Sequence, residues 1–498
     1  MIKLDDILTF GGIDADTDGL LEECFENHEA YIETKAHNKF LVLGRKGSGK
    51  TAIFRKYLST RGYDVFTFGH TFTDYPWHHH DKQAAIGVPE EQRYVHSWRY
   101  LILITTAKIL LNQDQSQPWS EEALEEMRKI ERFVVDSYGS RDPDITQVFS
   151  PAKTLRFHSS FQVPLAQLNI SLSAESVPLD KLPTIVQEVN RNLTDAVIAA
   201  LNPKFHYYVC FDQLDLGFDP TDKAYRDRLV GLILAARDLN VRARQAEKHI
   251  SILIFLREDI YQTLRFEDKN KVTEAFATRI EWDTGRTAKT LRQLMEKRFS
   301  AVLKIPEEKS WELVFDEGEQ MPGRQSKYQH MIDRTFLRPR DMIKFCNETL
   351  AAFKARNEPE KLQRFLNKDI NAARPEYSRY FLNELDDEIF KHIQNYQAYI
   401  EILKSLESLQ FTKVDFDQAC ANRRGLFAQD LDTSAILREL FDFSLIGYYV
   451  AGGGGYGGSE YIWKYMDPRA LFNESSMSFR VHPGLKETLG LKKFTRSA

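Results

Sequence analysis

Apolar runs alternate with segments of helical spacing through the first part of the chain. Five segments have the composition of strands, and they lie at 39–44, 63–70, 206–215, 249–259 and 278–283. The segments between them repeat apolar residues at the spacing of amphipathic helices. Because strands that are buried on both faces read as short apolar runs, this alternation predicts an α/β domain with a mostly parallel sheet.

The connection between the second and third predicted strands is unusually long for one crossover. It contains predicted helices at 93–112, 120–138 and 181–201 and a candidate hairpin at 155–173. We therefore interpret residues 71–205 as an insertion within the α/β domain.

The rest of the chain suggests further domains, as expected for 498 residues. Residues 1–36 read as an acidic, partly helical linker, residues 37–285 as the α/β core and residues 286–375 as a helical region. Residues 378–498 read as helices followed by helix, strand, glycine-rich turn and strand. That order suggests a winged-helix-like domain with the glycines of 452–458 at the wing tip, while a flexible hairpin loop without function is the alternative for these glycines.

Charge and cysteine usage narrow the class of protein. The net charge of -5 and the sequence pI near 6.3 argue against a protein that coats nucleic acid by bulk charge, although a local basic patch stays compatible with them. Four widely spaced cysteines form no CxxC pair and suit a reducing compartment; they are Cys24, Cys210, Cys346 and Cys420. No apolar run has membrane-spanning length, and the N-terminus lacks a signal-peptide core. We expect a soluble, cytoplasmic protein without membrane contact.

Three consecutive histidines at 78–80 raise the question of a metal site. Adjacent side chains point in different directions in any regular element, so that at most two of them could easily share one ion. With no spaced cysteine or aspartate partners nearby, we interpret this run as a solvated loop.

The segment Gly44–Thr51 reads GRKGSGKT and matches the pattern G-x-x-x-x-G-K-[ST] in full. It lies between a predicted strand and a predicted helix, which is the context that a phosphate-binding loop needs. In such a loop backbone N–H groups cradle phosphates, Lys50 can reach the β- and γ-phosphate oxygens, and the Thr51 hydroxyl can bind Mg²⁺. We predict nucleotide contacts from Gly44, Arg45, Lys46, Gly47, Ser48, Gly49, Lys50, Thr51 and Ala52.

A phosphate-binding loop that hydrolyses its nucleotide also needs acids at the end of a neighbouring strand. Asp212 follows the apolar run YYVCF, and we predict that it holds Mg²⁺ through water. Asp215 lies three residues further on and is a candidate to orient or deprotonate the attacking water. The alternative is that these acids only cap the end of the strand.

Arginines at the next two strands are candidates for contacts with the γ-phosphate. Arg257 ends the run SILIFL, where it could stabilise phosphate charge; a salt bridge to Glu258 or Asp259 is the alternative. Arg279 opens the following strand and, if exposed, could reach a neighbouring subunit's nucleotide as an arginine finger. A surface ion pair is the alternative for Arg279.

Two further arginines flank Pro339 in the segment FLRPRDMIKFCN. Proline suits the first turn of a helix. Arg338 or Arg340 could therefore fold back onto the phosphates from a helical lid, whereas packing of the helix terminus with Asp341 is the alternative.

The order of these motifs resembles the AAA+/STAND side of the P-loop ATPases, especially the origin-recognition (Orc/Cdc6-type) branch. The segments GRKGSGKT, CFDQLD, FLRED, TRIEWDTGRTAKTLRQLMEKRF and FLRPRDMIKF follow in that branch's order. The resemblance implies a parallel-sheet P-loop NTPase core, a helical lid over 286–375, a C-terminal winged helix, and ATP with Mg²⁺ as ligands. The acidic motif Asp-Gln-Leu-Asp departs from the Asp-Glu of AAA+ motors and is similar to the Asp-x-x-Asp of STAND ATPases, which act as switches.

The chain also resembles a group of bacterial P-loop ATPases of poorly known function. The shared features are an FG-x-x-DA opening (Phe10, Gly11, Asp14 and Ala15), GRKGSGKTAI, an RPRD segment and a closing HPGL. Some members of that group occur beside antiviral defence genes. The resemblance covers most of the chain and is thin over 71–205.

Three functions follow as hypotheses. The first is a slow ATPase that works as an oligomerising, nucleotide-dependent switch and controls a separately encoded protein effector, in the setting of antiviral defence. The second is a DNA-binding loader that uses the C-terminal domain, although Lys and Arg are about balanced by acids over 395–498 and phosphate contacts need local positive charge. The third, a non-hydrolysing scaffold, is disfavoured by the intact Lys50, Thr51 and Asp212.

Overall fold

A computed structural model gives the architecture of the chain. It describes residues 3–72, 77, 80–81, 92–114, 118–149, 182–284, 287–356, 358, 362–393, 395–427, 432–452 and 458–492. The candidate hairpin at 155–173 and most of the predicted wing tip lie outside these residues. The chain divides into two compact units, which we call the sheet unit (Asn27–Arg45 and Lys50–Ile280) and the helical unit (Met1–Glu26, Lys46–Gly49 and Glu281–Ala498).

The sheet unit is built on five parallel strands. They are β1 (Leu41–Gly44), β2 (Val65–Thr71), β3 (His206–Asp212), β4 (His249–Arg257) and β5 (Ala277–Arg279). Their order in the sheet is β2-β3-β4-β1-β5, and every pairing is parallel. All of β1 and nearly all of β3 and β4 are buried, as their continuous apolar sequences predict. The predicted α/β architecture with a parallel sheet is therefore confirmed.

Helices supply the connections between these strands. In chain order they are α1 (Glu29–Lys35), α2 (Lys50–Ser59), α3 (Val95–Lys108), α4 (Glu121–Tyr138), α5 (Ile145–Phe149), α6 (Leu182–Ala200), α7 (Lys223–Gln245), α8 (Glu258–Thr263) and α9 (Lys269–Phe276). Four of them, α3 to α6, belong to the connection between β2 and β3. Helix α3 is buried along most of its length and packs on α6 and α7, which explains why its sequence is apolar on all sides.

The strand order creates a crevice at one end of the sheet. From β1 the chain passes through α2 to β2 at one edge, whereas from β4 it passes to β5 at the other edge. Adjacent strands whose connections leave in opposite directions open a gap beyond their carboxyl ends, and ligands of open α/β sheets bind in such gaps. The carboxyl ends of β1 and β4 are therefore where a ligand is expected.

The helical unit contains eight further helices and a small antiparallel sheet among its described residues. The helices are α10 (Leu291–Leu303), α11 (Ser310–Val314), α12 (Lys327–Ile332), α13 (Pro339–Ala355), α14 (Asn367–Ile389), α15 (Tyr396–Ser405), α16 (Lys413–Asn422) and α17 (Thr433–Asp442). The strands β6 (Gln410–Phe411), β7 (Ile446–Val450), β8 (Glu460–Ile462) and β9 (Phe479–Val481) pair in the order β6-β9-β7-β8. None of the helices within the described ranges is both long and apolar enough to cross a membrane.

The FG opening of the sequence has a packing role in the helical unit. Phe10 is fully buried, and its ring centroid lies 4.8 Å from that of Phe299. Arg298 donates to the Phe10 carbonyl over 3.1 Å and is ion-paired with Asp18 over 2.6 Å. A Cβ on Gly11 would lie 1.8 Å from Arg298 Nη1, and Gly11 has φ of +117°, so only glycine fits there.

The interpretation of 78–80 as a solvated loop is wrong for His80, while residues 78 and 79 lie outside the described residues. His80 is fully buried, and its Nδ1 lies 2.7 Å from the Ser97 hydroxyl. Its ring lies 4.0 Å from that of Trp98. The aromatic neighbours of His80 shelter its ring from water. A run of three histidines in the sequence does not reveal these neighbours.

His70 of β2 predicts a loss of stability in mild acid. Its Nε2 lies 2.9 Å from the Thr105 hydroxyl, and burial lowers the pKa of His70 from 6.5 to about 3. The ring is neutral when folded but takes up a proton when unfolded, so stability is lost as pH falls below about 6.5. We expect ~2 kcal/mol of loss between about pH 7 and pH 5 from this residue.

Thermal unfolding of His70→Asn measured across this pH range tests the prediction. The variant should show a flatter pH dependence than the unmodified protein, whatever its absolute stability. His392→Asn, which replaces a half-exposed histidine of the helical unit, is the control. Parallel pH profiles for His70→Asn and the unmodified protein would contradict the prediction.

Candidate functional site

The loop between β1 and α2 has the backbone that its glycines predict. Gly47 and Gly49 have φ of +78° and +112°, values that other residues rarely adopt. Helix α2 begins at Lys50 directly after the loop. The Lys50 Nζ donates to the carbonyls of Gly44 and Arg45, each over 2.9 Å. The ammonium group is thus held beneath the first residues of its own loop, at the carboxyl end of β1.

The loop tip, Lys46–Gly49, belongs to the helical unit and is bound there by several side chains. The Trp282 indole donates to the Ser48 carbonyl over 3.0 Å. A Cβ on Gly47 would lie 3.1 Å from the Arg340 side chain. Lys46 is ion-paired with Asp387 over 2.7 Å. These contacts define the conformation of the tip within that unit.

Asp212 lies at the carboxyl end of β3 and has a free acceptor. Its side chain is 2% exposed, Thr51 hydrogen-bonds to the carboxylate, and no donor among the described residues reaches Oδ2. Burial raises the pKa of Asp212 to about 6, against the opposing effects of the Thr51 hydrogen bond and of Lys50. A buried carboxylate with an unused oxygen beside a threonine hydroxyl suits a hard cation such as Mg²⁺.

The chain turns sharply after Asp212. Gln213 has φ of +61°, in the left-handed region that residues other than glycine seldom occupy. Such strain is often found where a site requires one particular backbone path. The turn brings Asp215 to a position where its side chain is 32% exposed and 3.3 Å from Arg257.

Arg257 lies at the end of β4, between β1 and β3 in the sheet. Its side chain is 8% exposed and forms ion pairs with Asp259 over 2.6 Å and with Asp215 over 3.3 Å. The salt bridge to Asp259, which the sequence left open as an alternative, is therefore present. The bridge to Asp215 links the ends of β3 and β4 at the same edge of the sheet.

Arg279 is the last residue of β5, whereas the sequence suggested that it opens the strand. It is partly buried and ion-paired with Glu258 over 3.4 Å. The alternative for this residue was a surface ion pair; the ion pair that is present has a buried partner, Glu258. A role as arginine finger stays a prediction.

Arg338 and Arg340 differ sharply in their surroundings within the helical unit. Arg338 is 1% exposed and binds both carboxylate oxygens of Asp341, each over 2.9 Å, as well as Glu388 and the Lys46 carbonyl. Arg340 is partly exposed and paired with Glu384 over 2.9 Å. Helix-terminus packing with Asp341 is thus present for Arg338, and phosphate contact by either arginine stays a prediction.

The sheet unit brings five of the predicted residues to the carboxyl edge of β1, β3 and β4; they are Lys50, Thr51, Asp212, Asp215 and Arg257. Burial lowers the pKa of Lys50, while Asp215 and Asp212 oppose that shift. The cluster therefore holds a cation beside one buried acid, Asp212, and one partly exposed acid, Asp215, and it leaves one carboxylate oxygen of Asp212 unused. A nucleotide phosphate and a divalent cation fit this donor set, since Lys50 supplies charge and Thr51 and Asp212 supply oxygen ligands.

Sequence reasoning missed several residues that shape the loop and its surroundings. Trp282 is one of them, and the acids of α14 are the others. Asp387 and Glu388 lie three and four positions after Glu384, which places each of them beside Glu384 on the helix surface. The spacing of these acids, together with the arginines of RPRD, could have predicted ion pairs in this region. No feature of the sequence indicates the contact of the Trp282 indole.

Comparison with known proteins gives two matches. Residues 289–386 match the family model of the FunZ-associated C-terminal helical domain, and they include α10 to α13 and most of α14. The chain is also 23% identical over 407 residues to the "Putative transposon gamma-delta 80.3 kDa protein" of Escherichia coli strain K12, in a region that covers 76% of this chain and 52% of that protein. The chain thus spans about half the length of the curated relative that it matches. Neither match names an ATPase.

Proposed function

We propose that this chain is an ATP-binding and ATP-hydrolysing P-loop ATPase of the AAA+/STAND type. The observation that carries the proposal is Asp212 Oδ2, a buried carboxylate oxygen without a hydrogen-bond donor among the described residues, on a carboxylate that Thr51 contacts. Its position at the sheet edge beside a complete GRKGSGKT loop supports the same conclusion.

Each residue of the cluster has a defined part in the proposed mechanism. Lys50 would leave the loop carbonyls and bind the β- and γ-phosphate oxygens, while Thr51 and Asp212 would hold Mg²⁺, which neutralises developing charge on the phosphates. Asp215 is exposed enough to meet water and would orient it for attack on the γ-phosphorus. Arg257 would stabilise charge on the transferred phosphoryl group, and its bridge to Asp215 would couple the two residues.

We further propose that ATP acts as a switch that promotes self-association and control of a protein effector, in a cytoplasmic setting such as antiviral defence. The sequence Asp-Gln-Leu-Asp supports a switch over a motor. Arg279 is the candidate for contact with a neighbouring subunit's nucleotide, and it would have to exchange its bond to Glu258 for that contact.

A second candidate function is a DNA-binding loader. The distant relative is named as a transposon protein, and the region from α15 to β9 combines three helices with a small antiparallel sheet, as a winged-helix-like domain would. DNA binding by this region would weaken steeply with added salt, because phosphate contacts release counterions.

One experiment on the purified full chain tests both functions. ATP hydrolysis is measured with and without duplex DNA, and mass in solution is measured with no nucleotide, with ATP and Mg²⁺, and with a non-hydrolysable ATP analogue. We expect slow hydrolysis and a larger mass with ATP or the analogue. Absence of hydrolysis would overturn the ATPase, an unchanged mass would overturn the oligomerising switch, and salt-sensitive stimulation by DNA would favour the loader.

A further inference from the structure

Three histidines meet at the amino end of the sheet, opposite the candidate nucleotide site. His206 is the first residue of β3 and His249 the first residue of β4, and the two are direct partners in the register of the sheet. His37 follows α1 and completes the group. One ring nitrogen of each histidine lies within 4.8 Å of those of the other two.

The group is organised by hydrogen bonds. His37 Nε2 lies 2.9 Å from His206 Nδ1, and His37 Nδ1 lies 2.6 Å from the Ser251 hydroxyl. The His206 and His249 rings have centroids 5.1 Å apart. His37 itself has φ of +57°, an unfavourable backbone conformation for a histidine. The backbone thus accepts strain at the residue that brings the third imidazole to the group.

From these observations we propose that His37, His206 and His249 bind one divalent transition-metal ion such as Zn²⁺. Three imidazoles are a common ligand set for such ions, with metal–nitrogen distances of about 2.0–2.1 Å and hence nitrogen–nitrogen distances of roughly 3.3 Å. The ring nitrogens here span 2.9 to 4.8 Å, and the three rings are stacked on one another. Binding would therefore require the side chains to rotate until one nitrogen of each ring points at the ion. His249 is exposed and free to make the largest movement.

The second shell fits such a site. The Ser251 hydroxyl orients the His37 ring, as outer-shell partners of metal-bound histidines do. Two nearby cations are directed to carbonyls, since Arg244 donates to the His37 carbonyl over 2.7 Å and Lys248 to the Leu201 carbonyl over 2.6 Å. A cavity of about 230 Å³ lies beside His37 and His249, with Glu247 in its wall. It leaves room for a water or a carboxylate as fourth ligand.

The metal would join three separate segments of the sheet unit. Because β3 separates His206 from Asp212 by roughly 20 Å, the site is distinct from the predicted Mg²⁺ position. An ion bound here would stabilise the folded chain in proportion to its concentration over the dissociation constant. Because it joins three segments and stabilises the folded chain, the ion would have a structural role.

Titration of the full chain, without a histidine tag and after chelator treatment, with Co²⁺ tests the proposal. We expect one equivalent to bind with the intense visible absorption of four- or five-coordinate Co²⁺, Zn²⁺ to displace it, and the unfolding temperature to rise. His206→Gln and His249→Gln should each weaken binding by more than about tenfold. Circular dichroism in the presence of chelator checks that both variants fold. Because His249 is exposed, we expect His249→Gln to fold as the unmodified chain does.

Two control variants identify other sources of binding. His392→Gln replaces a histidine of the helical unit, and the double variant His78→Gln/His79→Gln removes two histidines of the HHH run; both should bind as the unmodified chain does. Failure to bind one equivalent, equal binding by His206→Gln and His249→Gln, or loss of binding in the double variant would each overturn the proposal. These outcomes are independent of ATP hydrolysis.

Discussion

Asp212→Asn is expected to abolish most ATP hydrolysis while leaving the nucleotide-free protein at least as stable as the unmodified one. The amide cannot replace the charged oxygen ligand of Mg²⁺, so we expect a fall in kcat of at least about a hundredfold, or ~2.7 kcal/mol of transition-state stabilisation. Stability should rise because burial raises the pKa of Asp212 to about 6. The ionised carboxylate therefore costs the folded state roughly 3 kcal/mol at neutral pH, and this cost disappears as pH falls through 6 toward 4.

Steady-state hydrolysis and thermal unfolding without Mg²⁺ are the two measurements. Asp219→Asn is the matched control, because Asp219 is an exposed acid of the same loop and should change neither quantity. Asp215→Asn separates the roles further, since loss of the water-orienting residue lowers kcat and leaves nucleotide affinity intact. Unchanged hydrolysis in Asp212→Asn would remove the support for an Asp212-bound Mg²⁺, and a large loss of stability would assign Asp212 to packing instead.

The sheet and its order of elements were predictable because their signals are local. The apolar runs around Val42, Val209 and Leu253 can be buried on both faces only in a covered parallel sheet. The glycines of GRKGSGKT and the acid after YYVCF are likewise local features, and the structure gives Gly47 and Gly49 positive φ and buries Asp212. Local patterns do not contain the strand order, because it depends on where each helix crosses the sheet. They therefore could not show that Arg257 at the end of β4 lies beside the end of β3.

Partners in space were harder to predict than roles along the chain. The bridge from Arg257 to Asp215 joins residues 42 positions apart, and the three histidines at the sheet's amino end come from three separate segments. Neither has a spacing that a motif could record. Burial of His80 and of Arg338 was missed for the same reason, because polar residues appear solvated in sequence until their enclosing neighbours are known.

Arg338→Ala is expected to destabilise the nucleotide-free protein by ~3–5 kcal/mol. The guanidinium is 1% exposed and lies between Asp341, which is fully buried, and Glu388, which is 6% exposed. Among the described residues, Arg338 is the only cation that bridges these two carboxylates. Its removal leaves both carboxylates buried without that compensating charge. The Phe336 ring, 5.1 Å from the guanidinium carbon, loses a cation contact as well.

Arg340→Ala is the matched control, since Arg340 is two residues away and its bridge to Glu384 is partly exposed. We expect a change of about 0–1 kcal/mol for it. Denaturant unfolding without nucleotide distinguishes the two roles considered for Arg338, because a residue that only contacts phosphate has no effect on the empty protein. If Arg338→Ala unfolds at the same midpoint as Arg340→Ala yet loses ATP affinity, the predicted structural role of the Arg338 ion pairs is wrong and phosphate contact is favoured. If it is strongly destabilised, any contact of Arg338 with phosphate must break bonds that hold α13 to α14.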